Sequence, residues 1–128
     1  KGEELHRRLV EVLVGSSLSD EAKADIARRY ADIERRDGMY VGTTIKQLLG
    51  AARFTPICEL KTMKVPTLVV YGTEDRFVPV VNSIKLAKLL PRAKLLPLAG
   101  AGHEASLDKG PELAKAVGDW LAANAMRR

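Results

Sequence analysis

The chain has 128 residues, of which 46% are hydrophobic and 29% charged, as is usual for one globular domain. The net charge is +5, but basic residues are mixed with acidic ones and only 5% of residues are aromatic, which argues against nucleic-acid binding. No apolar run approaches the ~20 residues that span a bilayer, and a single cysteine excludes an internal disulfide, so we expect a cytoplasmic protein.

The first half of the chain predicts helices and no strands. A first helix is predicted over about residues 3–14, and its expected inward face consists of Leu5, Leu9, Val12 and Leu13. Gly15 follows as its predicted cap. A second helix is predicted to begin after Ser19, a good N-cap residue, and to end at Gly38. Its expected apolar stripe consists of Ala22, Ile26, Tyr30 and Ile33.

A third and shorter helix is predicted after Thr43 or Thr44. Its expected inward face consists of Ile45, Leu48, Leu49 and Ala52. Residues 54–64 are expected to be a connector, because Pro56 stops the helix. We expect His6 to lie on a helix surface and Cys58 to be a small buried apolar residue of the connector.

The second half of the chain alternates between strands and helices. The apolar run from Thr67 to Tyr71 lies between a proline and a glycine, which is typical of a strand buried on both faces. A helix over residues 79–90, a strand over residues 93–98 and a helix from Pro111 follow. This order implies a right-handed crossover, so the two strands should pair in parallel and the fold class is α/β.

Two polar residues follow the ends of these strands. Asp75 comes four residues after the first strand, and His103 comes about five residues after the second. Because parallel strands end at the same edge of a sheet, we expect the two side chains to meet. A carboxylate that accepts a hydrogen bond from an imidazole fixes its tautomer and stabilises the imidazolium formed during catalysis. Taken singly, each residue would more often be a turn aspartate or an ordinary loop histidine, and the residues around them favour the catalytic positions.

Three segments of the second half resemble the α/β-hydrolase family. Residues 65–79 read Val-Pro-Thr-Leu-Val-Val-Tyr-Gly-Thr-Glu-Asp-Arg-Phe-Val-Pro and resemble the family's segment bearing the triad acid. The run Gly100-Ala101-Gly102-His103-Glu104 resembles its histidine loop, and residues 111–121 resemble its closing helix. The resemblance implies that Asp75 is the triad acid, that His103 is the general base and acid, and that no cofactor is needed. Residues 1–62 resemble, more loosely, the helical cap of many members.

The sequence departs from the family at the nucleophile. Family members carry it on a Gly-x-Ser-x-Gly turn before the acid, and no such pentapeptide occurs in this chain. We therefore expect a C-terminal fragment of an α/β-hydrolase, with a helical cap-like region over residues 1–62 and a hydrolase segment over residues 63–128. Such a fragment would carry the triad acid and histidine for ester-type (acyl) hydrolysis, but it would be inactive alone because it lacks the nucleophile. Ser106 and Cys58 do not lie on a strand–turn–helix elbow, so neither is the expected nucleophile.

The sequence leaves other functions open and also gives expectations about partners. The His103-Glu104 pair does not continue into a His-Glu-x-x-His motif, because Leu107 occupies the second histidine position, so no metal site is expected. One alternative is a non-catalytic binding or assembly module that forms homo-oligomers, and another is a small enzyme with a different nucleophile. Two strands leave an open sheet edge, so we expect either self-association or an upstream hydrolase segment that supplies the missing strands and nucleophile. The expected substrate of the complemented protein is a small ester-like molecule, and neither nucleic acid nor membrane is an expected partner.

Overall fold

The computed structural model of the chain describes residues 2–38, 41–53 and 57–125. Helices make up the first half of this part, and strands alternate with helices in the second half, as predicted. The elements in chain order are α1 (Gly2–Leu13), α2 (Asp20–Asp37), α3 (Val41–Arg53), α4 (Ile57–Thr62), β1 (Thr67–Gly72), α5 (Val80–Leu89), β2 (Ala93–Leu98) and α6 (Ala105–Ala125). The predicted connector therefore contains a short helix, α4. Pro56 lies outside the described residues.

The two strands form a parallel sheet, which confirms the predicted α/β class. The register pairs Thr67 with Ala93 at one end and Gly72 with Leu98 at the other, and α5 is the crossover between the strands. Only Val69 and Gly72 of β1 are buried. The prediction of a strand buried on both faces is therefore wrong for the described chain, because helices cover the strand only in part.

The first two helices pack against each other through a face that the sequence analysis did not predict. Val10 of α1 and Val14, which directly follows α1, are buried against the small side chain of Ala27 on α2. His6 belongs to the same face and is only 8% exposed, so its predicted surface position is wrong. Of the four residues predicted to face inward, three are instead exposed, namely Leu5, Leu9 and Val12, and Leu13 is half-buried. Both faces have helical spacing, and the position of α2 decides which of them is buried.

The ends of α2 follow the prediction, whereas the glycine after α1 has another role. The Ser19 hydroxyl accepts a hydrogen bond from the Ala22 N–H, and Gly38 ends the helix with φ 79°. Gly15 does not adopt a positive φ. A Cβ atom on Gly15 would instead lie 2.1 Å from the Gly100 carbonyl oxygen, so a close approach of two backbones requires glycine at this position.

Two further predictions of burial are wrong. The predicted inward face of α3 is exposed, because no helix or strand of the described chain packs on Ile45, Leu48 or Leu49. Ala52 is exposed as well. Cys58 on α4 is also exposed.

The last helix begins earlier than predicted. It starts at Ala105, and Lys109 interrupts it with a non-helical backbone (φ −137°, ψ 39°). Pro111 therefore opens the second segment of α6 rather than the helix itself. Within the described ranges, none of the helices is both long enough and apolar enough to cross a membrane.

Candidate active site

The loop after β1 holds the Asp75 carboxylate in a defined position. The Asp75 N–H bonds the Gly72 carbonyl oxygen at 3.3 Å, which turns the chain at the end of the strand. Oδ1 of Asp75 then accepts hydrogen bonds from the N–H groups of Phe77 at 2.9 Å and Val78 at 2.8 Å. This is the turn geometry that a short carboxylate side chain favours. It leaves Oδ2 available to a partner outside the loop.

The structure brings His103 to that second oxygen. Nδ1 of His103 lies 3.0 Å from Oδ2 of Asp75, and the exposed fraction of the side chain is 33% for the histidine and 12% for the aspartate. Both loops leave the carboxyl ends of parallel strands, as the sequence analysis expected. The Phe77 ring packs on the imidazole with ring centroids 4.9 Å apart, which restricts the rotation of His103.

Backbone contacts join the two loops directly. The Thr73 N–H bonds the Leu98 carbonyl oxygen at 3.1 Å, and the Glu74 N–H bonds the Ala101 carbonyl oxygen at 2.9 Å. A Cβ atom on Gly72 would lie 2.1 Å from the Gly102 carbonyl oxygen, so the loops can approach this closely only because Gly72 has no side chain. The separation of Asp75 and His103 is thus set by main-chain packing.

The hydrogen bonds to Asp75 favour its charged form. Burial by itself would raise the pKa of Asp75, but the bonds from Val78 N–H, His103 and Phe77 N–H together outweigh it and bring the pKa below its ordinary value. The carboxylate is therefore charged at neutral pH. Of the two neutral tautomers of an imidazole, a charged acceptor at Nδ1 favours the one with its proton on that nitrogen, which leaves the lone pair on Nε2.

The free imidazole nitrogen is what gives this pair a chemical use. Within the described residues, no group bonds Nε2 of His103. An imidazole with one nitrogen fixed by a carboxylate and the other free can accept a proton and return it. Among these residues there is also no group of three or more His, Cys, Asp and Glu side chains that could hold a metal ion.

Sequence reasoning missed the turn after α1 as part of the site. Ser16 bonds the Glu74 carboxylate twice, through its N–H and its hydroxyl, each at 2.7 Å. These bonds lower the pKa of Glu74 from its ordinary value. The Ser17 N–H bonds the Gly100 carbonyl oxygen at 3.1 Å. The turn therefore contacts both loops, and no signal in its short Gly-Ser-Ser run distinguishes it from an ordinary helix end.

A buried polar pair in the helical half was missed as well. Nε2 of His6 on α1 bonds the Glu34 carboxylate on α2, and Nδ1 of His6 is buried without a hydrogen-bond partner among the described residues. Burial first, and the negative charge of Glu104 second, raise the pKa of Tyr30 on α2. Tyr30 therefore lies within electrostatic range of Glu104, the residue that follows His103.

Comparisons with known proteins identify the fold family of this chain. A family model described as the α/β hydrolase fold matches residues 2–110. The chain is 38% identical over 73 residues to polyketide synthase ThaQ of Burkholderia thailandensis, a match that covers 57% of this chain and 4% of ThaQ. It is also 38% identical over 56 residues to 2-hydroxymuconate semialdehyde hydrolase of Pseudomonas sp. strain CF600, covering 44% of this chain and 20% of that enzyme.

A solved structure extends the similarity to almost the whole chain. The CarC enzyme, a serine hydrolase involved in carbazole degradation, superimposes with a TM-score of 0.75 at 26% identity. The match covers 94% of this chain but 47% of CarC, so this chain spans less than half the length of each of these three relatives. The family match, together with the parallel strand pair and its two loops, shows that the chain belongs to the α/β-hydrolase fold family.

Proposed function

We propose that this chain supplies the acid and the base of a catalytic triad for ester-type (acyl) hydrolysis. Asp75 is the triad acid, and His103 is the general base and then the general acid. The observation that carries the proposal is the 3.0 Å contact between Nδ1 of His103 and Oδ2 of Asp75. Two backbone N–H groups hold the other Asp75 oxygen, so the carboxylate is fixed before any substrate binds.

The proposed chemistry assigns one role to each nitrogen of His103. Nε2 takes the proton of a seryl nucleophile as that oxygen attacks the acyl carbon, and Asp75 stabilises the resulting imidazolium through Nδ1. Nε2 then returns the proton to the leaving alcohol oxygen. Water repeats the sequence on the acyl-enzyme. No cofactor takes part in these steps.

The nucleophile in this proposal comes from a segment outside this chain. No Gly-x-Ser-x-Gly run occurs in the sequence, and the family places that turn ahead of the acid. The chain also matches only 47% of CarC and 20% of 2-hydroxymuconate semialdehyde hydrolase, so much of each relative has no counterpart here. In this proposal the segment is encoded either upstream in a longer chain or on a separate polypeptide, and residues 1–62 form its cap.

The free edge of β1 is the surface on which we expect that segment to dock. The Thr67 N–H bonds the carbonyl oxygen of Arg92, just before β2, and the Thr73 N–H bonds that of Leu98, at the end of β2. Both N–H groups therefore point toward β2. Because alternate residues of a strand point in opposite directions, the N–H groups of Leu68 and Val70 face the free edge. An added parallel strand would satisfy them and would cover exposed apolar side chains near the sheet.

An esterase assay tests the proposal. The chain alone, and the chain extended by the reading frame that precedes Lys1, are given p-nitrophenyl acetate. We expect turnover only from the extended form, and His103→Ala should lower it about 10³-fold or more. Asp119→Asn removes an exposed carboxylate on α6 and is the control that should keep the activity. Turnover of the extended form that does not depend on His103 would disprove the assignment.

A non-catalytic assembly module is the second candidate, and the exposed apolar surface favours it. Helices α1 and α3 expose the side chains Leu5, Leu9, Ile45, Leu48 and Leu49. Surfaces of this kind commonly mark contacts between proteins. Sedimentation equilibrium on the chain at micromolar concentration separates the candidates. A stable dimer, combined with no esterase activity in the extended form, would favour the module over the hydrolase.

A further inference from the structure

One buried carboxylate of the site has no part in the proposed chemistry. Asp108 lies in the first segment of α6 and is 9% exposed. Its two oxygens accept hydrogen bonds from the Gly102 N–H at 2.7 Å, from the Gly15 N–H at 3.0 Å to each oxygen, and from the Ser17 hydroxyl at 3.2 Å. All these donors are uncharged. Burial of a carboxylate costs folding free energy unless it is hydrogen-bonded, so the four bonds to Asp108 are what allow this side chain to be buried.

The groups that Asp108 joins are far apart in the sequence. Gly102 directly precedes His103, whereas Gly15 and Ser17 belong to the turn after α1, more than 90 residues before Asp108. We call residues 14–17 the clamp turn. It meets the histidine loop again where the Ser17 N–H bonds the Gly100 carbonyl oxygen, and it meets the acid loop through Ser16. The Asp108 bonds are the buried part of this connection.

The backbones at this junction lie in close contact. A Cβ atom on Gly102 would lie 2.6 Å from the Val14 carbonyl carbon, and one on Gly15 would lie 2.1 Å from the Gly100 carbonyl oxygen. Two loops packed main chain against main chain keep their alignment only while their N–H groups are satisfied. Loss of the Asp108 oxygens would leave two buried N–H groups unpaired at the residue next to His103 and at the clamp turn.

We infer that Asp108 is a positioning residue for His103: its carboxylate binds the histidine loop to the clamp turn and so keeps the imidazole in reach of Asp75. The inference rests on the proposed role of His103 as the base. Asp108 acts through hydrogen bonds and not through its charge. The amide oxygen of an asparagine at this position can still accept from both glycine N–H groups. Its NH2 group can donate to the Ser17 hydroxyl, but it also replaces one of the two acceptors of the Gly15 N–H, so Asp108→Asn should preserve most of the geometry.

The test measures the protonation of the His103 ring by NMR. The sequence has two histidines, so the ¹⁵N and ¹H signals of the His103 ring are readily assigned, and they report which nitrogen carries the proton. In the parent chain we expect one fixed Nδ1–H tautomer. Asp108→Ala should convert it into a mixture of tautomers while the far-UV circular dichroism stays unchanged. The Gly102 amide should exchange with solvent about tenfold faster or more, because a buried N–H has lost its acceptor.

Two variants serve as matched controls. Asp108→Asn should restore the single tautomer and bring Gly102 exchange to within about twofold of the parent value, since it keeps the acceptor. Asp119→Ala removes an exposed carboxylate from the same helix and should change neither signal. If Asp108→Ala folds and His103 keeps its single tautomer, the inference is wrong. A loss of the tautomer in Asp108→Asn as large as that in Asp108→Ala also overturns the hydrogen-bond account.

A measurement without substitution decides the matter if Asp108→Ala does not fold. In the parent chain at sub-denaturing urea, the amides of Gly15 and Gly102 should open together with the His103 Nδ1–H bond. Independent opening would overturn the inference. Asp75→Asn distinguishes this outcome from a failure of the proposed function. If the ring signals of His103 are the same in Asp75→Asn as in the parent chain, Asp75 and His103 do not form a catalytic pair, whatever the effect of Asp108.

Discussion

Nδ1 of His103 lies 3.0 Å from Oδ2 of Asp75, although 28 residues of chain separate them. The parallel register brings their strands to a common edge, and Gly72 lets the two loops approach main chain to main chain. The pair is therefore a product of the fold and not of local sequence. Its consequences for stability and for activity can be measured separately.

Protonation of Asp75 at acidic pH should lower the unfolding free energy of the protein. The pKa of this carboxyl is lowered in the folded state, so its stabilisation is fully present above its unfolded-state pKa and is lost as the pH falls through the folded-state value. The difference in unfolding free energy between the parent chain and Asp75→Asn should therefore be larger at about pH 6 than at about pH 3. Urea unfolding at both pH values measures it. Asp119→Asn controls for the loss of an exposed charge, and an equal difference at both pH values would contradict the prediction.

A side chain at Gly72 should push the two loops apart. The new Cβ in Gly72→Ala would meet the Gly102 carbonyl oxygen at 2.1 Å, and the Ala101 carbonyl oxygen at 2.2 Å. We expect a loss of about 1–3 kcal/mol in unfolding free energy, or more, from overpacking. Gly118→Ala on α6 is the control, because its Cβ enters open space and should stabilise the helix by about 0.5–1 kcal/mol. Equal effects of the two substitutions in thermal unfolding would show that the close approach is absent.

The contact between α1 and α2 should depend on Val10. This side chain is 1% exposed, so Val10→Ala should cost about 1.5–3 kcal/mol of unfolding free energy through lost burial and a residual cavity. Leu5→Ala alters an exposed residue of the same helix and should stay within about 0.5 kcal/mol of the parent. Denaturant titrations of both variants check the assignment. A larger loss of unfolding free energy in Leu5→Ala than in Val10→Ala would contradict the assignment and would favour the inward face that the sequence predicted.

The second half of the chain was predictable because its signals are local. Proline and glycine limit the strand at residues 67–72, and the order of elements fixes the parallel pairing. The placement of Asp75 and His103 together followed from that order alone. The early start of α6 was not predictable in the same way, because Lys109 leaves helical geometry and Pro111 resembles a helix start.

The helical half was less predictable because helix spacing does not identify the partner. Helix α1 and the residue after it carry two sets of apolar residues at helical spacing. Only contact with the small alanine at position 27 selects the set that contains Val10 and Val14. Asp108 was missed for a similar reason. In the sequence it resembles any acidic residue near a helix start, and its bonds reach groups that only the fold brings near.

A double-mutant cycle on the extended form, in which we propose that the activity resides, tests the central claim most directly. Turnover of p-nitrophenyl acetate is compared for His103→Ala, Asp75→Asn and the variant carrying both changes. If Asp75 acts only through His103, each single change should lower kcat by about 10²-fold or more, and the double change should cost no more than His103→Ala alone. Losses that multiply in the double variant would contradict the claim that the two residues act as one unit.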